Sequence, residues 1–170
     1  EAGGINNVAI GDNAGTAITT GDCNVAVGKD ALTTNSTGTR NTAIGQGALT
    51  ANTTADNNTA VGKNSMVANT EGHSNVAVGA NALDANTTGD NNTAIGMDAL
   101  TANTTANQNT AVGDEALKLN TTGDCNTAVG KGSLDTNTTG TRNVAVGGEA
   151  LGANTTASFN NALGYKALCS

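Results

Sequence analysis

The chain has 170 residues, of which 23 are Gly and none is Pro or Trp, and its formal net charge is −7. Aromatic residues make up 1% of the chain and charged residues 12%. So few aromatic side chains exclude an ordinary globular core, in which each aromatic buries a large apolar area. The low charge argues against intrinsic disorder, which combines high net charge with low hydrophobicity. Such a composition favours internal repeats.

Several classes of partner are excluded at the same level. The 14 acidic and 7 basic residues form no Lys/Arg cluster, so we expect no nucleic-acid partner. No apolar run approaches the roughly 20 residues of a membrane span, so we expect that the chain is not embedded in a membrane. The three cysteines are an odd number and include no CxxC pair, which excludes a disulfide framework and a zinc site.

A 17-residue repeat organises residues 1–170 as one repeat domain. Its units begin at Asn7, Asn24, Asn41, Asn58, Asn75, Asn92, Asn109, Asn126, Asn143 and Asn160, and the tenth unit stops after 11 residues. Numbered from that Asn, position 3 is Ala and position 5 is Gly in all ten units. Position 4 is always Ile, Val or Leu, position 9 is Leu in eight units, and position 12 is Asn in eight. Because these positions vary so little between units, their residues indicate what the geometry of each unit requires.

The unit is too short for a two-helix repeat, which needs more than about 30 residues, and it has no 3.6-residue apolar stripe. Positions 1–5 and 8–12 predict two short strands, with Gly at position 5 in the first turn and a longer polar turn at positions 13–17. Units stacked at the inter-strand spacing of about 4.8 Å predict an all-β parallel β-solenoid roughly 50 Å long.

The constant polar columns predict ladders of stacked side chains. Identical Asn amides at the strand spacing can hydrogen-bond along the rod, and a plain turn-forming role suits position 12 better than position 1. The residues that represent these structural columns are Asn41, Ala43, Gly45, Asn58, Ala60, Gly62, Asn92, Ala94, Gly96, Asn103 and Asn120.

Both faces of the first strand are free of charge. Positions 2 and 4 carry Val, Thr, Ile and similar residues on one face, whereas position 3 is Ala on the other. The sequence leaves open which face lines the coil interior. The remaining face needs a cover, and the simplest cover is another copy of the chain in a closed cyclic assembly.

The units also resemble known fibre repeats. The pattern Asn-Thr/Val-Ala-Ile/Val-Gly-x-x-Ala/Ser resembles the head repeats of YadA-like trimeric autotransporter adhesins, and the longer Asn-Thr-Ala-Val-Gly-x-x-Ala-Leu-x-x-Asn-Thr-Thr-Gly is similar to repeats of phage tail fibres and bacterial surface fibres. The resemblance covers residues 7–170. It implies a left-handed β-roll in a homotrimeric fibre, located on a virion tail fibre or at the cell surface. It also implies attachment to a cell-surface receptor or glycan, or a role as a rigid spacer.

Catalysis and cofactor binding are not expected. His73 is the only His, and its pairing with Glu71 is better explained as a solvated turn substitution than as a site. Asp22, Asp56, Asp90 and Asp124 share position 16 in non-adjacent units and lack the Gly-Gly-x-Gly-x-Asp pattern of calcium-binding rolls. We therefore expect polar turn residues rather than a metal site.

The cysteines lie too far apart to pair within one rod. Cys23 and Cys125 share position 17 six units apart, about 29 Å at the strand spacing, whereas a disulfide needs Cα atoms within about 7 Å. They are free or pair between chains, and the state of Cys169 is left open.

Two further polar patterns remain. The Asn-Thr-Thr sequences at Asn52, Asn86, Asn103, Asn120, Asn137 and Asn154 match a glycan acceptor pattern but are better explained as turn and ladder residues. Thr at positions 13 and 14 suggests an alternative function, an ice-binding Thr array. Adjacent positions do not normally share a strand face, and Glu71 interrupts the column.

Overall fold

A computed structural model describes residues 3–169. Within this range, positions 2–4 of each repeat unit form a three-residue strand, which gives ten strands. The strands are β1 (Val8–Ile10), β2 (Val25–Val27), β3 (Thr42–Ile44), β4 (Thr59–Val61), β5 (Val76–Val78), β6 (Thr93–Ile95), β7 (Thr110–Val112), β8 (Thr127–Val129), β9 (Val144–Val146) and β10 (Asn161–Leu163). They form one parallel sheet in the order of the chain.

Every strand pairs with the next at an offset of one repeat, so that equal positions face each other. Ala43 lies opposite Ala60, for example, and Ile44 opposite Val61. The predicted parallel β-solenoid with 17-residue coils is therefore confirmed. Ten coils at about 4.8 Å per coil make a rod roughly 48 Å long.

The prediction of two strands per coil is wrong, because positions 8–12 form turns. In the third coil, Gly47 at position 7 and Leu49 at position 9 have φ values of 72° and 50°, whereas a strand needs negative φ throughout. The Ala48 N–H donates to the Gly45 carbonyl (3.3 Å) and the Asn52 N–H to the Leu49 carbonyl (3.2 Å). Two successive β-turns thus replace the second strand.

The core of each coil is narrow and built from small side chains. Ala43 at position 3, Ala48 at position 8 and Leu49 at position 9 are fully buried, and the same columns are buried in neighbouring coils. A positive φ is uncommon for a residue as large as Leu. Here it turns the side chain of position 9 into the interior. The Ala face of the strand therefore lines the coil interior, and positions 2 and 4 point outward, which decides the question that the sequence leaves open.

Gly at position 5 is required by both backbone conformation and space. Its φ lies between 121° and 141° in all ten coils, a region that residues with a Cβ rarely adopt. A Cβ on Gly28 would also lie 2.7 Å from the carbonyl carbon of Gly45 in the next coil. Close stacking of the coils thus explains why this column never varies.

The neighbouring residues Gly147 and Gly148 test this requirement. Gly147 is at position 5 with φ 130°, and a Cβ there would lie 2.5 Å from the Gly164 carbonyl carbon. A Cβ on Gly148 would meet the Tyr165 ring at an ordinary 3.4 Å. We predict that Gly147→Ala costs about 2 kcal/mol or more from the positive φ and the clash, whereas Gly148→Ala stays within about 0.5 kcal/mol.

Amide hydrogen exchange of peptides that cover β9 and β10 measures the effect. Gly147→Ala should raise their exchange rates at least ten-fold over the wild type, with Gly148→Ala as the control. Equal exchange in the two variants would show that close stacking at position 5 does not constrain the fold.

Candidate functional site

Asn at position 1 connects each coil to the next from inside the rod. The Asn58 N–H donates to Asn41 Oδ1 (3.0 Å), and Asn41 Nδ2 donates to the Ala55 carbonyl of its own coil (2.7 Å). Both Asn side chains are fully buried. The amide carries an acceptor on Oδ1 and donors on Nδ2, so one side chain makes both bonds.

Asn at position 12 forms a second ladder that meets the first. Asn52 Nδ2 donates to Asn35 Oδ1 in the preceding coil (2.8 Å) and to the Ala55 carbonyl (3.1 Å). The same carbonyl at position 15 thus accepts from both ladders. Double acceptance recurs at Gly38, Gly72, Gly89, Ala106, Gly140 and Ala157. Within residues 3–169 Asn109 departs from the pattern, since its buried Nδ2 has no hydrogen-bond partner.

The Asn-Thr-Thr sequences belong to this second ladder. Nδ2 of Asn103 donates to Asn86 Oδ1 (2.9 Å) and to the Ala106 carbonyl (3.2 Å), and Asn120 repeats the arrangement one coil on. Nδ2 is the atom to which a glycan would be attached. In the folded rod it is buried and engaged.

A third axial column lies at position 16, where the sequence shows four Asp residues in non-adjacent units but not the hydrogen bonds that link the column. Asp90 Oδ1 accepts from the His73 N–H (2.6 Å), and His73 Nδ1 accepts from the Asp56 N–H (2.9 Å). His73 is therefore held as the tautomer whose ring proton lies on Nε2. Asp, His, Asn and Ser at position 16 each accept a hydrogen bond from a backbone N–H of the preceding coil. The sequence does not reveal this shared role, because four different residue types make the same hydrogen bond.

The position-16 carboxylates lie in alternate coils, about 9.6 Å apart at the strand spacing. This separation keeps like charges out of neighbouring coils. Among residues 3–169 no group of three His, Cys, Asp or Glu side chains is arranged to hold a metal ion. Cys23, Cys125 and Cys169 are all free cysteines.

The two Thr columns differ in their surroundings. At position 13 the Thr70 hydroxyl donates to the Thr87 carbonyl of the next coil (3.1 Å), and Thr87 donates to Thr104 in the same way (3.0 Å). At position 14 the side chains of Thr88 and Thr105 are exposed. The two columns therefore do not form one flat array.

Charged side chains lie on the turns. Ion pairs join Glu115 to Lys118 (2.6 Å), Asp114 to Lys131 (3.2 Å) and Glu149 to Lys166 (3.3 Å). Such exposed pairs contribute little to stability. Partial burial raises the pKa of the Asp84 and Asp135 carboxyls at position 10.

The outward side of the sheet is the candidate interaction surface, and we call the side chains at positions 2 and 4 the strand face. None of its twenty residues is charged, whereas positions 6, 7, 10, 14, 16 and 17 all include charged residues. Ile44, Ile95 and Val78 at position 4 are 40%, 39% and 36% exposed. A continuous uncharged strip thus runs along one side of the rod.

The two columns of the strand face differ in chemistry. Position 4 is aliphatic in every coil, whereas position 2 carries Thr42, Thr59, Thr93, Thr110 and Thr127 among its Val residues. In the described hydrogen-bond network the hydroxyls of these five Thr have no partner, in contrast to those at position 13. Position 2 is therefore the more polar column.

Comparison with protein-family models, with curated proteins and with solved structures finds no match. The described residues form no helix of the length and hydrophobicity that crossing a membrane would require.

The ladder at position 1 is testable at Asn92, which is fully buried. Asn92→Ala removes the acceptor of the Asn109 N–H (3.0 Å) and a donor to the Ala106 carbonyl (2.8 Å). We predict a loss of about 2–3 kcal/mol in unfolding free energy, because a buried N–H is left without a partner. Chemical denaturation followed by circular dichroism measures it. The exposed control Thr105→Ala should change stability by less than about 0.5 kcal/mol. Similar losses in both variants would contradict a stabilising ladder.

Proposed function

We propose that the chain is a rod-like structural segment of a homotrimeric fibre, with the strand faces of three copies turned toward one another. The observation that carries this proposal is the strand face itself, an uncharged strip that runs through all ten coils. Depletion of charged residues is typical of the buried centre of protein interfaces. Residues at every coil level take part, so the assembly would extend along the whole rod.

The size of the strip suits a stable assembly. Three residues of extended chain by ten coils give about 10 Å by 48 Å, or roughly 1,400 Å² over three chains. Stable two-chain interfaces bury about 1,200–2,000 Å² over both partners, a total that the strand faces of three copies reach only together. A second copy of this chain also matches the 4.8 Å spacing at every level, which an unrelated partner would not.

The number of copies and the hand of the coil rest on the resemblance to trimeric adhesin heads and tail fibres. That resemblance supports three left-handed rolls side by side, located on a virion or at a cell surface. A closed ring of three covers every strand face and leaves none to recruit further copies.

The mass of the protein in solution tests the proposal. Light scattering should give three times the chain mass of 16.5 kDa. Val78→Lys with Ile95→Lys should give monomers, because the charges would be buried in the assembly. The control, Thr88→Lys with Thr105→Lys, adds the same charges at exposed position 14 and should remain trimeric. A wild-type monomer or dimer would refute the trimer, and dissociation in the control alone would show that the interface does not lie on the strand face.

We favour a spacer role over direct attachment. The exposed positions 6 and 17 and the half-buried positions 7 and 10 change from coil to coil and repeat no recognition chemistry. A screen of the trimer against glycans and collagen tests this. Saturable binding that is lost on substitution of exposed residues would instead assign attachment to a cell-surface receptor or glycan.

Ice binding is a second candidate function, favoured by one observation. Position 14 is Thr in eight of nine complete units, although no contact within the coil requires it. Only this single column faces solvent, since the position-13 hydroxyls donate to the next coil.

Thermal hysteresis separates the two candidates. The fibre segment predicts none at millimolar protein concentration. A freezing-point gap that disappears in Thr88→Glu with Thr105→Glu, but persists in the turn variant Thr50→Glu, would favour ice binding instead.

A further inference from the structure

The two columns of the strand face are unequal, and the strand β5 shows this with residues of one type. Val78 at position 4 is 36% exposed, and Val76 at position 2 of the same strand is less exposed. In the second to eighth coils, Ile44, Val78 and Ile95 at position 4 are exposed and no residue at position 2 is, whereas in the ninth coil Val144 at position 2 is the more exposed of the two. Over the second to eighth coils, position 4 therefore has more apolar area to lose to a partner.

Polarity follows the same division. Position 4 is Ile, Val or Leu in all ten coils, so the column never includes a hydroxyl. Position 2 exchanges Val and Thr freely, and Thr93 and Thr110 have no partner for their hydroxyls among the described residues. A hydroxyl without a partner is costly when buried but not when it reaches water. The free exchange at position 2 thus indicates contact with water, and its absence at position 4 indicates a dry environment.

We infer that the position-4 column lines the threefold axis of the fibre, while the position-2 column lies at the seams between neighbouring chains. This inference rests on the proposed trimer and assigns the two columns within it. Each sheet is tilted so that position 4 of the three chains meets at the axis in every layer. Val and Ile pack together there, and the Thr hydroxyls of position 2 bind water at the outer edge.

Val78 and Val76 provide a matched test, since both receive the same nearly isosteric change on one strand. Val78→Thr places three hydroxyls at the axis in one layer, so on dilution the trimer should dissociate at a protein concentration at least ten-fold higher than the wild type does. Val76→Thr only adds another Thr to a column that already holds five, so its association should stay within two-fold. Sedimentation equilibrium over a dilution series measures both.

Cysteine reactivity is a second measurement, which reports how accessible each column is in the trimer. In a background with Cys23, Cys125 and Cys169 changed to Ser, Ile95→Cys should react with a bulky maleimide at least ten-fold more slowly than Thr93→Cys. Under mild oxidation, Ile95→Cys should form disulfide-linked dimers within the trimer.

The outcomes separate the inference from the proposed function. A wild-type monomer overturns the trimer, and the column assignment with it. A wild-type trimer in which Val76→Thr weakens association as much as Val78→Thr, or in which Thr93→Cys is the protected cysteine, overturns the assignment alone.

Discussion

The structure depends on one constraint, which is that every coil lies one strand spacing from the next. Backbone and side-chain hydrogen bonds both run along the rod. The polar groups at each position must therefore find partners in the neighbouring coil, about 4.8 Å away. Asn meets this demand in the interior because its amide both donates and accepts, and the Ala55 carbonyl joins the two Asn ladders in its coil. An inserted residue would move every column out of line, which explains the unbroken period of 17.

The same constraint explains the unusual composition. The coil interior is occupied by hydrogen-bonded Asn and by small or medium apolar residues, mostly Ala and Leu, and holds no aromatic side chain. Stability accumulates along the rod through contacts between neighbouring coils, as in other solenoids. It depends on hydrogen bonding of the buried polar groups as much as on apolar area, because each buried amide without a partner costs more than a paired one contributes.

The strand face stands apart because axial stacking makes no use of its side chains. Its twenty residues project from one side of the rod, and none of them is charged. The hydrogen bonds between coils come from the strand backbones, from side chains inside the rod and from the turns. The side chains of the strand face thus form no hydrogen bonds between coils, and a fibre of several copies would bury them. Its two columns then divide by polarity, as position 4 excludes the hydroxyls that position 2 accepts.

The sequence by itself determined the period, the parallel stacking and the columns that cannot vary, because an exact repeat forces equal residues into equal environments. Only the tertiary structure decided that positions 8–12 turn rather than extend. Leu49 has a φ of 50°, which Leu does not favour, so local conformational preference does not predict this turn. The interior face was likewise undecided, since Ala43 and Ile44 are both apolar. The structure buries Ala43 completely and leaves Ile44 40% exposed. The acceptors at position 16 stayed hidden because Asp90 and His73 look unrelated until stacking places each beside a backbone N–H.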